Sequence, residues 1–238
     1  MRPAFYALPR GGWRDYVTLL HVPYTAWHLA YVVVGGCLVA EVPWGRLGLT
    51  VLAFFLAMGI GAHALDELAG RPLQTAIPAS VLVALAVVSV AAACAIGVAV
   101  ALSFSLWILP LIAVGAFLVP AYNLELFGGR FHTDRWFALA WGAFPVVTAY
   151  VACAGTVRAA TVLAAAWATL LSLAQRRLST PVRRSRREIV EVTGELELAG
   201  GGREGVTHET LVAVPEAALK LLAAATVLLA AALVAFRL

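Results

Sequence analysis

Charge and sulfur are scarce in this 238-residue chain. Charged residues make up 13% of the sequence against 62% apolar residues, and the mean hydropathy is +0.90. A soluble globular domain carries about twice that share of charge, so the composition excludes the soluble class. Three cysteines, Cys37, Cys94 and Cys153, each lie inside an apolar run without CxxC spacing. This pattern excludes a disulfide framework and a zinc knuckle.

Long apolar runs fill most of the chain. A bilayer core about 30 Å thick is crossed by about 20 apolar residues in a helix. Seven stretches approach that length: 16–40, 46–65, 77–101, 105–122, 136–154, 157–174 and 214–236. Only Leu102–Phe104 separate the third stretch from the fourth, and their combined length is too great for one span, which predicts a tight helical hairpin. The first fifteen residues have no apolar core, so we expect no cleavable signal peptide.

The sequence therefore predicts an all-α, polytopic transmembrane bundle of about seven helices. Residues 1–174 would form the first six helices, residues 175–213 a loop, and residues 214–238 the last helix. If the amino terminus lies inside, thirteen of the sixteen arginines fall on the cytoplasmic side. Because cytoplasmic loops are enriched in Lys and Arg, we expect a protein of the inner (plasma) membrane with its amino terminus inside and its carboxyl terminus outside.

The one long loop, 175–213, has two parts. It opens with the basic cluster QRRLSTPVRRSRR, and we expect residues 176–187 to lie on an anionic membrane surface. The loop continues with apolar and acidic residues alternating around Gly200–Gly202, a pattern that predicts a small cytoplasmic β-hairpin. Its glutamates are typical of a solvated strand face rather than of a metal site.

Ionisable residues gather where the second predicted helix ends. His63, Asp66, Glu67 and Arg71 stand at i, i+3, i+4 and i+8, so a helix places them on one face. Two adjacent carboxylates beside a histidine would hold a hard cation such as Mg²⁺. The alternative is a helix end capped by charged residues, with Arg71 paired to one of the acids. The spacing alone leaves both interpretations open.

Other polar residues fall at the same predicted membrane face. Tyr122 and Asn123 end the fourth apolar stretch, and Arg130 follows two glycines, where it would bind a phosphate group or anchor in the head groups. His21 and His28 are seven residues apart in the first stretch. We expect them to line a polar cavity rather than to ligate haem.

Two of these segments, HALDELAGRPLQTAIP and AYNLELFGGR, together resemble the UbiA superfamily of intramembrane prenyltransferases. The resemblance implies a helical bundle that binds an isoprenyl diphosphate through Mg²⁺ at its cytoplasmic face. It implies that Asp66 and Glu67 hold the metal and that Arg130 grips the diphosphate. His63, Tyr122 and Asn123 would line the site. The family's second acidic motif should follow the sixth helix, where this chain has Gln175-Arg176-Arg177. We therefore expect part of the metal's positive charge to be replaced by Arg71, Arg130, Arg176 and Arg177.

The expected activity is transfer of a prenyl group from an isoprenyl diphosphate, or a related lipid, to a small acceptor. The alternative is a non-catalytic lipid-binding or membrane-complex assembly protein of the same fold, whose basic loop and hairpin dock a membrane protein partner. A transporter is disfavoured because the apolar stretches carry almost no charge and show no inverted repeat. No nucleic-acid partner is expected.

Overall fold

The computed structural model describes residues 2–238. Met1, the first residue of the predicted 1–174 region, lies outside the described residues. Residues 2–238 form eight helices and one two-stranded antiparallel sheet. The helices are α1 Trp13–Leu19, α2 Val22–Cys37, α3 Trp44–Leu68, α4 Ala79–Ser103, α5 Ile108–Asn123, α6 Asp134–Ala154, α7 Ala159–Arg187 and α8 His208–Arg237, and the strands are β1 Glu195–Glu197 and β2 Arg203–Gly205.

Four of these helices, α3, α4, α6 and α8, are long and apolar enough to cross a membrane. The pair α1–α2, bent by 44°, counts as a fifth span if it is taken as one. Helix α5 is apolar but has only 16 residues. The predicted all-helical architecture with several candidate membrane spans is therefore confirmed. Its UbiA-like topology, its orientation and the number of seven spans stay predictions.

The first predicted helix is broken. The stretch 16–40 divides at His21, whose φ of 45° lies in the left-handed region, so the chain changes direction between α1 and α2. Pro23 stands in the first turn of α2, where a proline needs no N–H partner. The Thr25 hydroxyl donates to the Leu20 carbonyl and bridges the break.

The sixth predicted helix is longer than its apolar stretch. Helix α7 continues beyond residue 174 to Arg187, so the basic cluster is helical rather than a loop. Arginine favours helix, and cations in a last helical turn interact well with the helix dipole. The connection to α8 is therefore 188–207. It contains the hairpin predicted around Gly200–Gly202, with Leu196 opposite Glu204.

Helix α2 lies at the centre of the bundle. Its Trp27 and Tyr31 are fully buried, and the Trp27 indole donates to the Tyr31 hydroxyl at 2.7 Å. Around it, α3 and α6 each contain a π-helical segment, at Phe55–Ala62 and Leu139–Ala143. Such bulges shift the helix register and re-aim side chains. Met58 and Trp141, one from each segment, lie between the two hollows of the bundle.

Candidate functional site

A polar cavity of about 490 Å³ lies at the end of the bundle where α3 finishes. Its walls come from residues 3–6, from the beginning of α2, from the ends of α3 and α5, and from the second half of α7. Its polar lining consists of Tyr6, His21, Tyr24, His28, His63, Asp66, Tyr122, Asn123, Glu125, His132, Gln175, Arg176, Ser179, Arg183, Arg187 and Glu188.

The cavity brings five of the residues proposed from the sequence together. These are His63, Asp66, Tyr122, Asn123 and Arg176. His21 and His28 also belong to the lining, as expected. Asn123 is nearly buried and donates through Nδ2 to the Val119 carbonyl at 2.7 Å, which orients its amide. One wall of the cavity is thus formed by the ends of α3 and α5, the two segments on which the family resemblance rests.

Three arginines of α7 also line the cavity. Arg176, Arg183 and Arg187 are spaced by seven and four residues, so they share one face of α7. Arg176 pairs with Asp134, with its Nε 3.0 Å from Oδ1. Among residues 2–238, neither Arg183 nor Arg187 has a carboxylate within salt-bridge distance. Arg183 and Arg187 therefore form no direct ion pair, although the carboxylates of Asp66, Glu125 and Glu188 also line the cavity.

The surroundings of Arg183 favour a bound anion. Burial, reinforced by the neighbouring charges of Arg176 and Arg187, lowers the pKa of the Arg183 guanidinium. Its one side-chain hydrogen bond within the described residues is a long one, 3.4 Å from Nη2 to the Thr180 hydroxyl. An anion placed between Arg183 and Arg187 would relieve their mutual repulsion. A phosphate group suits guanidinium donors because two of its oxygens accept parallel N–H bonds from the planar guanidinium fork.

The two adjacent acids have different environments. Glu67 is fully buried, and its Oε2 accepts from the Leu73 amide at 2.9 Å. Its Oε1 accepts from both the amide and the hydroxyl of Thr75, each at 2.8 Å. Asp66 lines the cavity, and its side chain has no hydrogen-bond partner among the described residues. Glu67 thus closes the loop after α3, while Asp66 faces the cavity.

The different environments of Asp66 and Glu67 argue against a Mg²⁺ site shared by the two carboxylates. Because three protein donors already occupy the Glu67 carboxylate, that residue does not suit a metal site shared with Asp66. Across residues 2–238, no group of three or more His, Cys, Asp or Glu side chains is arranged to hold a metal ion. Mg²⁺ binding stays a prediction, with Asp66 as its carboxylate in the cavity.

The remaining predicted arginines lie outside the cavity lining. Arg71 has a φ of 55° and donates through Nη1 to the Ile77 carbonyl at 2.6 Å, so it helps to close the 69–78 loop instead of pairing with an acid. Arg130 and Arg177 are exposed. Arg177 is adjacent in sequence to Arg176, but it projects from a different face of α7.

The histidines of the cavity are oriented by backbone carbonyls. His28 Nδ1 lies 2.9 Å from the Trp141 oxygen, and His63 Nδ1 lies 3.1 Å from the Gly59 oxygen. A carbonyl accepts but cannot donate, so each Nδ1 carries the proton and each neutral ring keeps Nε2 as an acceptor. The rings of His21 and His63 stack with their centroids 4.0 Å apart.

Residues 3–6 cover one side of the cavity. Arg187 Nε donates to the Pro3 carbonyl at 3.3 Å, and Arg186 Nη1 donates to the Arg2 carbonyl at 3.4 Å. The ammonium group of Lys220, in α8, lies 5.0 Å from the centre of the Phe5 ring. Burial raises the pKa of the Tyr6 phenol. This segment, which no sequence signal assigned to the site, forms one wall of the cavity.

An apolar groove adjoins the cavity. It runs between α3, α4, α5 and α6, and its lining is almost wholly hydrocarbon. Met58 and Trp141 belong to the walls of both hollows. The two hollows therefore meet at these residues, and together they offer a polar end that contains three arginines and an apolar extension. This division matches a ligand that has an anionic head and a hydrocarbon tail.

No family model, curated protein or solved structure matches this chain. The UbiA resemblance therefore stays a prediction that rests on the segments after α3 and α5. The class that the fold itself defines is a helical bundle with several membrane-spanning candidates and a polar cavity at one end.

Proposed function

We propose that this protein binds an isoprenyl diphosphate, or a lipid with an equivalent phosphate head group, at the end of its membrane bundle. The head group would occupy the polar cavity and the hydrocarbon chain the adjoining groove. One observation carries the proposal: Arg183 and Arg187 lack carboxylate partners among the described residues, in a cavity that meets an apolar groove at Met58 and Trp141.

Charge decides the class of head group. A neutral head group would leave the two arginines repelling each other in a partly desolvated site. A phosphate would accept charge-assisted hydrogen bonds from both, and each such bond contributes about 1.5–3 kcal/mol. Asp66 faces the same cavity, and we assign to it the binding of a cation or of the uncharged part of the ligand rather than of the phosphate.

Prenyl transfer is the activity that we propose for the occupied site. Ionising an allylic diphosphate separates a carbocation from pyrophosphate, so the departing negative charge must be neutralised. In this chain Arg183, Arg187 and the partly compensated Arg176 would supply that charge. The non-catalytic alternative, a lipid-binding or complex-assembly protein, uses the same cavity without turnover.

A direct binding measurement tests the first part of the proposal. Purified protein in detergent is titrated with farnesyl diphosphate, and Arg183→Gln and Arg187→Gln are compared with wild type. We expect each substitution to weaken binding at least about tenfold, since each removes a charge-assisted contact. Arg177→Gln and Arg184→Gln are matched controls, because both residues are exposed on the same helix. Equal effects in all four variants, or no binding by wild type, would overturn the proposal.

A turnover assay separates the enzyme from the binding protein. Radiolabelled isoprenyl diphosphates are incubated, together with a membrane extract that supplies the acceptor, with wild type and with Asp66→Ala, with and without Mg²⁺. Mg²⁺-dependent release of pyrophosphate that Asp66→Ala abolishes supports prenyl transfer. Tight binding without release, at any chain length, supports the non-catalytic alternative.

A further inference from the structure

Two buried side chains of the polar cavity have polar atoms without a hydrogen-bond partner. Gln175 is 4% exposed and Tyr122 is 5% exposed, and both residues line the cavity. Within the described residues, neither Gln175 Oε1 nor the Tyr122 hydroxyl forms a hydrogen bond. Because a buried polar atom is costly to leave unpaired, these two atoms point to a ligand group that completes their hydrogen bonds.

Gln175 and Tyr122 lie close to the same aromatic side chain. The ring centroids of Tyr122 and Phe137 are 6.0 Å apart. The guanidinium group of Arg176, the residue after Gln175, lies 5.3 Å from the centre of the Phe137 ring. The two unpaired atoms therefore belong to neighbouring parts of the cavity lining.

The order of side chains along α7 places Gln175 between the arginines and the apolar groove. Gly142 follows Trp141, where the two hollows meet, and a Cβ at Gly142 would lie 2.7 Å from Ser172 Oγ. The junction is therefore level with Ser172. Gln175 comes about 4.5 Å further along the helix axis, and Arg183 about 12 Å beyond Gln175. A ligand that reaches from Arg183 into the groove passes Gln175.

The chemistry of the two atoms selects a hydroxyl group. Gln175 Oε1 only accepts hydrogen bonds, so its partner has to donate. Ionised phosphate oxygens only accept, and a hydrocarbon chain does neither. An ammonium group donates, but its positive charge would lie beside Arg176. A hydroxyl donates to Gln175 Oε1 and accepts from the Tyr122 O–H, so one group pairs both atoms.

We propose that Gln175 and Tyr122 form a hydroxyl-binding subsite, and that the ligand is a phosphate lipid with a free hydroxyl between its phosphate and its hydrocarbon chain. The inference rests on the proposed function, since it assumes that the phosphate binds Arg183 and Arg187. A lipid without this hydroxyl would still meet the arginines, but it would leave Gln175 Oε1 and the Tyr122 hydroxyl unpaired, and it should bind more weakly for that reason.

Two probes that differ by one hydroxyl test the subsite. Oleoyl lysophosphatidic acid has a free glycerol hydroxyl between its phosphate and its acyl chain. Its deoxy analogue has the same charge and the same chain without that hydroxyl. We expect purified wild type in detergent to bind the hydroxyl form about tenfold more tightly, since it gains two hydrogen bonds.

Substitutions that keep the size of the side chain assign this preference to the two residues. Gln175→Met and Tyr122→Phe should each reduce it to about threefold or less, and each should leave the affinity for the deoxy analogue within about twofold. Tyr16→Phe is the control, because Tyr16 is exposed and lies outside the cavity lining. Arg183→Gln should weaken both probes equally, since it removes a phosphate contact that the probes share.

Farnesyl diphosphate, titrated in parallel, separates the failure of this inference from that of the proposed function. If wild type binds neither the two probes nor farnesyl diphosphate, the proposed function fails and the subsite fails with it. If wild type binds both probes equally, or if its preference survives in both Gln175→Met and Tyr122→Phe, only the subsite is overturned. Should Tyr122→Phe fail to fold, the wild-type preference and Gln175→Met still decide the question.

Discussion

Arg186 and Glu216 form a two-point ion pair that fastens the end of α7 to the beginning of α8. Arg186 donates from Nε to Oε1 and from Nη2 to Oε2, the second bond measuring 2.9 Å. Only 11% of the Arg186 side chain and 7% of the Glu216 side chain are exposed. The pair anchors the segment of α7 that carries Arg183 and Arg187, so it supports the cationic wall of the cavity.

Removing one partner of the Arg186–Glu216 pair should destabilise the protein. Glu216→Ala leaves Arg186 buried without its carboxylate, and such a change lowers the free energy of unfolding by about 3–5 kcal/mol. The measurement is thermal or denaturant unfolding of the purified protein in a mild detergent. Glu195→Ala is the control, because Glu195 pairs with Arg203 on the exposed hairpin and exposed pairs contribute about 0–1 kcal/mol. Similar losses in both variants would contradict the prediction.

The neighbouring acids Asp66 and Glu67 should respond differently to loss of charge. Glu67→Gln replaces one accepting oxygen with an amide nitrogen, so one of the donors Leu73 N–H and Thr75 N–H loses its partner. We expect a loss of about 1–3 kcal/mol in unfolding free energy and faster hydrogen exchange at those two amides.

Asp66→Asn is the matched comparison for this test. Because Asp66 has no hydrogen-bond partner among the described residues, stability should change little, whereas binding of the diphosphate in the presence of Mg²⁺ should change. A destabilised Asp66→Asn together with an unaffected Glu67→Gln would reverse the roles that we assign to these residues.

Asp66 and Glu67 show which features of the site can be predicted from the sequence and which cannot. Helical spacing places Asp66 and Glu67 at the same end of α3, and they do lie there. Their different exposure arises from the 69–78 loop, which folds back so that its amides meet Glu67. That loop contains residues in the left-handed region at Arg71 and Gln74. Neither apolar periodicity nor charge predicts such a backbone path.

The length of helix α7 is a second feature that the sequence predicts only in part. Hydropathy falls sharply after residue 174, which predicts the end of a membrane span there. The helix itself continues to Arg187, because a helix can extend beyond the membrane-spanning part of its sequence. Once the helix continues, its periodicity separates Arg176, Arg183 and Arg187, which line the cavity, from the exposed Arg177 and Arg184. Spacing alone does not distinguish the two sets, because the exposed Arg177 and Arg184 are also seven residues apart.

The close packing of α2 against α6 predicts that a larger residue at Gly35 destabilises the protein. A Cβ at Gly35 would lie 2.4 Å from the Val146 carbonyl oxygen, a backbone atom that cannot move away cheaply. Gly35→Ala should therefore force the helices apart and cost at least about 1–3 kcal/mol. The measurement is the unfolding temperature in detergent.

Gly48→Ala provides the control for Gly35. A Cβ at Gly48 would meet no atom within 4 Å, and the residue lies inside α3. Replacing an exposed helical glycine with alanine stabilises a helix by roughly 0.5–1 kcal/mol. An equal destabilisation by both substitutions would show that the α2–α6 contact is not as close as described.

The orientation of the bundle can be tested with a pair of cysteine variants. Glu41, between α2 and α3, and Glu197, in β1, are both exposed, and the arginine distribution predicts that they lie on opposite sides of the membrane. In a background in which Cys37, Cys94 and Cys153 are replaced, Glu41→Cys should react with a membrane-impermeant maleimide on intact cells. Glu197→Cys should react only after the cells are permeabilised. The reverse pattern would place the amino terminus and the cationic cavity outside, and labelling of both sites on intact cells would contradict the predicted membrane topology.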